Sequence, residues 1–305
     1  MSMRCKHMAK KGNKYKGYEP GEVYDPTGIS KYLGLGRPID FDQKVHKVAM
    51  MSTIFLCVAL TLWKTSGGMD SGDAVMFALN AGLGFLLSFM IAQELDPDRQ
   101  LGGIIGGALT VVGYYFFGEG NILVPLWLLF VLRMLNRSSG DRHRIADNVI
   151  IIGSAVWMGK QGFWVYPLLT GAAYILESQI KGGYFRSLYL AGISLAGLIV
   201  AEFSKQATVL SMELLLLNCL AIILFLPEIR LAEYTQAKGD KNGKRLFPKR
   251  LQATMGFFCM MLVAAVFLHG NEAAKQLLPG AMAAIGCGLY LFVALMRHQV
   301  EFKKY

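Results

Sequence analysis

Three carboxylates stand close together in Glu94-Leu-Asp96-Pro-Asp98, a turn between two apolar segments. Oxygen ligands suit Mg²⁺ and Ca²⁺, and Pro97 prevents a regular helix, so the three groups could converge on one ion. The spacing therefore makes Glu94, Asp96 and Asp98 candidate metal ligands, with Mg²⁺ as the candidate cofactor. The alternative is a polar turn that ends one helix and begins the next, with Arg99 as a local partner.

The next polar stretch, 136–148, concentrates arginine, histidine and aspartate. Because guanidinium groups match the oxygen geometry of phosphate, Arg137 and Arg142 are candidate phosphate ligands. His143 and Asp147 are four residues apart and would share a helix face, as an acid–base or metal-binding unit would require. The alternative is a basic loop at the membrane surface, with Asp147 capping the helix that follows.

A few polar side chains interrupt the apolar segments themselves. Glu213 lies inside the predicted segment 208–226, where an ionisable group is costly and therefore indicates proton coupling or cation binding. Asn80 and Asn218 could assist it in binding a solute. The alternatives are that the segment begins after Thr208, so that Glu213 reaches the interface, and that the two asparagines form interhelical hydrogen bonds.

Several familiar active-site patterns are absent from the sequence. It contains no phosphate-binding Gly-rich loop followed by Lys-Ser or Lys-Thr, no HExxH and no GxSxG. The five cysteines have no CxxC spacing, and four lie inside apolar segments, so no disulfide framework or zinc site is expected.

Apolar segments dominate the chain and set its fold class. Of its 305 residues 54% are hydrophobic and 17% are charged, against roughly 25% charged in ordinary soluble domains. The pattern predicts an all-α, polytopic transmembrane helix bundle of about ten spans. The predicted segments are 48–63, 74–92, 101–117, 122–135, 149–158, 163–176, 188–203, 208–226, 251–268 and 277–296.

Two properties of these segments bear on packing and on their number. Within 101–117, Gly102/Gly106 and Gly103/Gly107 are small-xxx-small pairs, which favour close helix packing. Segments 149–158 and 163–176 are shorter than the roughly 20 residues that a span needs. They could form one re-entrant or broken pair lining a cavity, which would leave eight spans. Alternatively, their polar flanks 145–148 and 159–162 are also helical.

Lysine and arginine are distributed very unevenly along this pattern. If the segments cross a bilayer in turn, 27 of the 31 Lys and Arg residues fall on one side. This asymmetry is typical of the cytoplasmic side of a membrane protein and predicts that both termini are cytoplasmic. It also accounts for the net charge of +10 without nucleic-acid binding. The expected location is the plasma membrane, or the inner membrane of a bacterium with two membranes.

The predicted organisation has three parts. Residues 1–47 form a basic, largely irregular cytoplasmic arm, 48–297 form the transmembrane domain with a basic cytoplasmic loop at 228–250, and 298–305 form a cytoplasmic tail. The arm and the loop are expected to attract anionic lipid head groups of the bilayer.

Three functions fit this architecture. The leading hypothesis is a carrier or permease for a small charged solute, with Glu213, Asn80 and Asn218 as the binding set. The first alternative is a membrane enzyme acting on a lipid-linked phosphate at the cytoplasmic face, with His143 and Asp147 as catalytic residues and Arg137 and Arg142 as substrate ligands. The second is a non-catalytic scaffold, whose basic arm and loop bind a cytoplasmic protein partner.

Overall fold

The computed structural model describes residues 32–37, 41, 43–203 and 209–297. These residues form ten α-helices and no β-strand; a single isolated bridge joins Lys238 and Arg245. The helices are α1 (Lys44–Ser66), α2 (Ser71–Leu95), α3 (Leu101–Phe117), α4 (Leu123–Asn136), α5 (Ile145–Lys160), α6 (Val165–Gln179), α7 (Ser187–Ala196), α8 (Met212–Leu231), α9 (Pro248–Gln276) and α10 (Leu278–Met296). Short 3₁₀ turns extend α7 to Val200 and α8 to Tyr234.

Five of the described helices are long and apolar enough to cross a membrane, namely α1, α2, α8 with its turn, α9 and α10. Helices α3, α4 and α7 with its turn are apolar but shorter. Each of the ten predicted segments thus contains a helix, but only half of them reach spanning length. The all-helical bundle fits an integral membrane protein.

Chain connections alternate between two ends of the bundle. At one end the α2–α3 turn meets the α8–α9 loop, where the backbone N–H of Gln236 donates to Asp98 at 2.9 Å. At the other end the α3–α4 turn and the α9–α10 junction meet, since Gly120 lies against the backbone of Gln276. We call the first the basic end, because the arginine-rich 136–144 and 228–250 regions lie there, and the second the opposite end.

Helix α3 owes its close packing to its glycines. A Cβ on Gly106 would lie 2.8 Å from the Cα of Ala283 in α10, and one on Gly103 would lie 2.8 Å from the ring of Phe89 in α2. The two predicted glycine pairs therefore serve different neighbours: Gly102 and Gly106 face α10, while Gly103 and Gly107 face α2. Without Cβ atoms the backbones approach closely, as in membrane helix pairs.

The peripheral helices expose broad apolar faces. In the apolar 18-residue stretch of α1 only 17% is buried, against 72% in the corresponding stretch of the central helix α10. Exposed side chains of α1 include Met51, Ile54, Phe55 and Leu62. An apolar surface of this extent suits lipid contact.

Several helix boundaries differ from those expected from hydropathy. Helix α8 begins at Met212, which puts Glu213 in its first turn, and it continues through Pro227 to Leu231. The predicted basic loop is correspondingly shorter, because α9 begins at Pro248. Helix α5 includes the polar flank 145–148, so α5 and α6 are continuous helices of 16 and 15 residues. Thr208 lies outside the described residues.

Candidate functional site

A short N-terminal segment, residues 32–37, is fastened across the basic end, and we call it the strap. The buried Asp147 carboxylate accepts the backbone N–H of Gly34 at 2.7 Å and that of Leu35 at 3.3 Å. Lys241 donates its ammonium group to the Gly34 carbonyl at 2.8 Å. The strap is therefore held by the start of α5 and by the α8–α9 loop together.

Arg37 extends this attachment into the bundle. Its guanidinium forms a two-bond pair with Asp240, at 2.5 and 3.0 Å, and also donates to Glu94 at 2.9 Å. Glu94 is fully buried and also accepts from Arg133 of α4 at 3.1 Å. Burial removes both ions of such a pair from water, so contacts inside the protein must replace the lost hydration. The pairing of Glu94 with two arginines replaces part of it.

A second buried carboxylate, Glu177 of α6, joins four elements. It accepts from Arg137 at 2.5 Å, from Arg250 at 2.9 Å and from the Ser187 hydroxyl at 2.5 Å. The backbone N–H of Tyr184 adds a fourth contact at 3.2 Å. Arg137 reaches this position from a left-handed residue (φ 53°) that ends α4.

His143 continues this network toward the surface. Its Nε2 lies 3.0 Å from the Ser187 hydroxyl. Because Ser187 donates its single proton to Glu177, it accepts from His143, which assigns the proton to Nε2. Burial lowers the pKa of His143 below its ordinary value, so the imidazole is neutral at pH 7.

A cavity of about 610 Å³ opens beside His143, between the starts of α5 and α7. The Tyr184 ring forms part of its wall and has two guanidinium groups nearby, that of Arg142 at 5.2 Å and that of Arg186 at 5.7 Å from the ring centroid. The cavity lining combines polar groups with apolar and aromatic ones: Tyr32, His143, Arg144, Ile145, Asn148, Tyr184, Arg186, Tyr189 and Leu190.

The three candidate metal ligands are engaged with different partners. Glu94 pairs with arginines of the strap and α4, Asp96 with Arg99 at 2.7 Å, and Asp98 with the backbone of Gln236. Among the described residues, no group of three or more His, Cys, Asp or Glu side chains is arranged to hold a metal ion. The structure therefore does not gather the three carboxylates around one point, and a Mg²⁺ site there stays a prediction.

The predicted catalytic and phosphate-binding residues are distributed over two places. Asp147 caps α5 by accepting the Arg144 N–H at 2.8 Å, while His143 precedes the helix and contacts Ser187. They do not form the expected unit on one helix face, because the helix begins only at Ile145. Arg137 is held by Glu177, whereas Arg142 is exposed and lies beside the cavity wall.

The predicted solute-binding set is likewise not assembled. Glu213 is exposed in the first turn of α8. Asn218 donates to the Leu214 carbonyl of its own helix at 2.8 Å, and Asn80 interacts with Glu119 at the opposite end. Glu213 thus lies near a helix end, as in the interfacial alternative. The contact of Asn218 is within its own helix and that of Asn80 is with the α3–α4 turn, so neither is the interhelical hydrogen bond of the other alternative.

The sequence reasoning overlooked Glu177, Tyr184 and Arg186. Lys181-Gly-Gly-Tyr184-Phe-Arg186 contains an arginine two residues from a tyrosine after a glycine pair, a weak signal for an anion-binding loop. Glu177 has no local signal, since its arginine partners are 40 and 73 residues away.

Comparisons of this chain with family models, with curated proteins and with solved structures gave no match.

Proposed function

We propose that this integral membrane protein binds the anionic head group of a membrane-borne amphiphile, a lipid-linked phosphate, in the cavity between α5 and α7. The proposal includes the orientation expected from the sequence, with the basic end toward the cytoplasm. It concerns recognition of the ligand, which the enzyme hypothesis and a lipid-binding protein would share.

The observation that carries the proposal is the pair of guanidinium groups beside Tyr184. Arg142 and Arg186 are exposed, and neither has a carboxylate partner among the described residues. Six other arginines have such partners: Arg37, Arg99, Arg133, Arg137, Arg144 and Arg250. Guanidinium forks bind phosphate oxygens through strong charge-assisted hydrogen bonds, so two unpaired ones beside a cavity favour an anion.

The surroundings of the cavity favour an amphiphile over a free anion. Ile145 is 80% exposed, Phe185 68% and Tyr189 66%. Exposed apolar and aromatic side chains next to basic ones are typical of the membrane interface, where a tail could follow the apolar rim while the head group enters the cavity.

The ionisable groups next to the cavity do not oppose the binding of a negatively charged ligand. His143 is neutral at pH 7 and therefore neither repels nor attracts strongly. The Glu177 carboxylate, which would repel an anion, is fully buried and balanced by Arg137 and Arg250. The local field beside Tyr184 is thus set mainly by Arg142 and Arg186.

The proposal is tested by titrating the protein, purified in a neutral detergent, with dodecyl phosphate and following binding calorimetrically. Dodecanol and inorganic phosphate are the comparison ligands. We expect saturable binding of dodecyl phosphate, weak binding of inorganic phosphate and none of dodecanol. Inorganic phosphate binding as tightly as dodecyl phosphate would identify a free-anion site instead.

Variants locate the binding. Arg186→Gln should weaken dodecyl phosphate binding about 10-fold or more, since a hydrogen bond to a charged group contributes roughly 1.5–3 kcal/mol. The matched control is Arg230→Gln, another exposed arginine of the basic end, in α8. Equal affinities of the wild type and Arg186→Gln, or equal losses in both variants, would refute the cavity as the site.

A further inference from the structure

A separate cluster of charged side chains lies where the end of α2, the start of α3 and the end of α8 meet. Arg99 donates through Nε to Asp96 at 2.7 Å and through Nη2 to Glu228. The Glu228 side chain is 0% exposed and that of Asp96 is 3% exposed. This cluster shares no residue with the cavity beside Tyr184.

The cluster has more acids than bases. Arg99 is the one cation in ion-pair contact with Asp96 or Glu228 among the described residues. Asp98, on the same turn, is exposed and adds a further negative charge nearby, and Cys287 faces the pair from α10. With both buried carboxylates ionised, a net negative charge would remain away from water, which is costly.

The two carboxylates are not equally well satisfied. Asp96 interacts with both the side chain and the backbone amide of Arg99. Glu228 receives one donor at Oε2, while its buried Oε1 has no hydrogen-bond partner among the described residues. Since an ionised carboxylate is stabilised by the donors it accepts, Asp96 is the better anion and Glu228 the better acid.

We propose that Glu228 binds a proton at neutral pH and that Asp96, Arg99 and Glu228 form a proton-binding site inside the bundle. Gain and loss of this proton change the buried charge at the α2–α3–α8 junction by one unit. Acidic groups buried in membrane helices commonly serve as proton relays. The proposal is independent of ligand binding beside Tyr184.

A proton suits the cluster better than a metal ion. Asp96, Glu228 and Cys287 are not arranged to hold a metal ion together, and the described residues contain no other group of three or more His, Cys, Asp or Glu side chains that is. A proton on Glu228 needs no further ligand, and it removes one of the two buried negative charges that interact with the single cation Arg99.

Infrared spectroscopy of the carboxylic acid C=O band tests the site directly. At pH 7 the wild type should show the band of a protonated acid, and it should shift when the protein is labelled with ¹³C in its glutamate carboxyl groups. Glu228→Gln should lack the band, whereas Asp98→Asn, which changes the exposed acid of the same turn, should retain it. No band, a band that persists in Glu228→Gln, or one that does not shift with labelled glutamate would overturn the proposal.

Stability against pH provides a second readout that uses the same variants. An acid that is protonated when folded and ionised when unfolded makes the folded state less stable as pH rises. The wild type should therefore lose thermal stability between pH 7 and pH 9, and Glu228→Gln, which mimics the protonated form, should lose less. Two outcomes would contradict the proposal. If Glu228→Gln is as unstable as Glu228→Ala at pH 7, Glu228 is ionised in the wild type. If sodium ions abolish the wild-type C=O band, the site binds a metal cation. Absence of this band, or of its shift with labelled glutamate, from the wild type would overturn the proposal even if the variants do not fold.

Discussion

At the scale of single residues, the basic end depends on buried carboxylates that each accept several donors. Glu177 collects two guanidinium groups, a hydroxyl and a backbone N–H, while its side chain is 0% exposed. Its partners Arg137 and Arg250 are 18% and 5% exposed, so neither has ready access to water. Such a group holds its neighbours in place only as long as its own charge is present.

We expect Glu177→Gln to reduce the free energy of unfolding by about 3–5 kcal/mol, since it leaves two largely buried guanidinium groups without a counter-ion. Chemical denaturation in detergent measures this. The control is Glu272→Gln, whose side chain is 63% exposed and 3.7 Å from Lys275, and which should change stability by less than about 0.5 kcal/mol. Similar values for the two variants would show that Glu177 is not the organising group inferred from its contacts.

At the scale of elements, the features that the sequence predicted are those that depend on residues close together in the chain. Ten apolar segments were identified and each contains a helix, because a helix satisfies its own backbone hydrogen bonds in an apolar environment. The glycine spacing of α3 predicted close packing, and the structure adds that the two pairs face different helices.

Long-range partners explain what the sequence did not reveal. The predicted segment 208–226 ended before Pro227, yet α8 continues and buries Glu228 against Arg99, 129 residues away. Similarly, Ser187 lies 44 residues from His143, so the cavity between their helices follows only from how α5 and α7 pack. Residue type identified His143 and Arg142, but their surroundings depend on tertiary contacts.

The strap is the element whose position depends most on a single glycine. A Cβ on Gly34 would lie 2.0 Å from the Arg142 carbonyl oxygen, whereas a Cβ on Gly36 would meet nothing within 4 Å. We therefore expect Gly34→Ala to displace the strap and to raise hydrogen–deuterium exchange of the amides of Gly34 and Leu35 at least 10-fold, because their bonds to Asp147 break. Gly36→Ala should leave exchange unchanged. Equal exchange in the two variants would contradict this tight contact.

At the scale of the whole molecule, charge and packing divide the bundle into two unlike ends. Buried ion pairs connect the strap, α2, α4, α6 and the α8–α9 loop at the basic end. The opposite end has aromatic contacts instead, such as Trp63 with Tyr115, whose ring centroids are 5.8 Å apart, and Lys64 over Phe77 at 4.5 Å. Trp and Tyr are enriched at both membrane–water interfaces, whereas an excess of Lys and Arg is typical of the cytoplasmic side.

This polarity predicts the orientation of the chain in a membrane. Cysteines introduced one at a time at two exposed positions, Lys238 of the basic end and Asp73 of the opposite end, should react with a membrane-impermeant maleimide from different sides. With the five native cysteines replaced, Lys238→Cys should be labelled only from the cytoplasmic side and Asp73→Cys only from the outside. The reason is that, if the ten predicted segments cross the bilayer in turn, 27 of the 31 basic residues fall on the side that contains Lys238, and basic loops are retained in the cytoplasm. Labelling of both positions from one side would mean that the two ends are not separated by the bilayer. Labelling of Lys238→Cys from the outside and of Asp73→Cys from the cytoplasm would mean that the distribution of basic residues does not set the orientation of this chain.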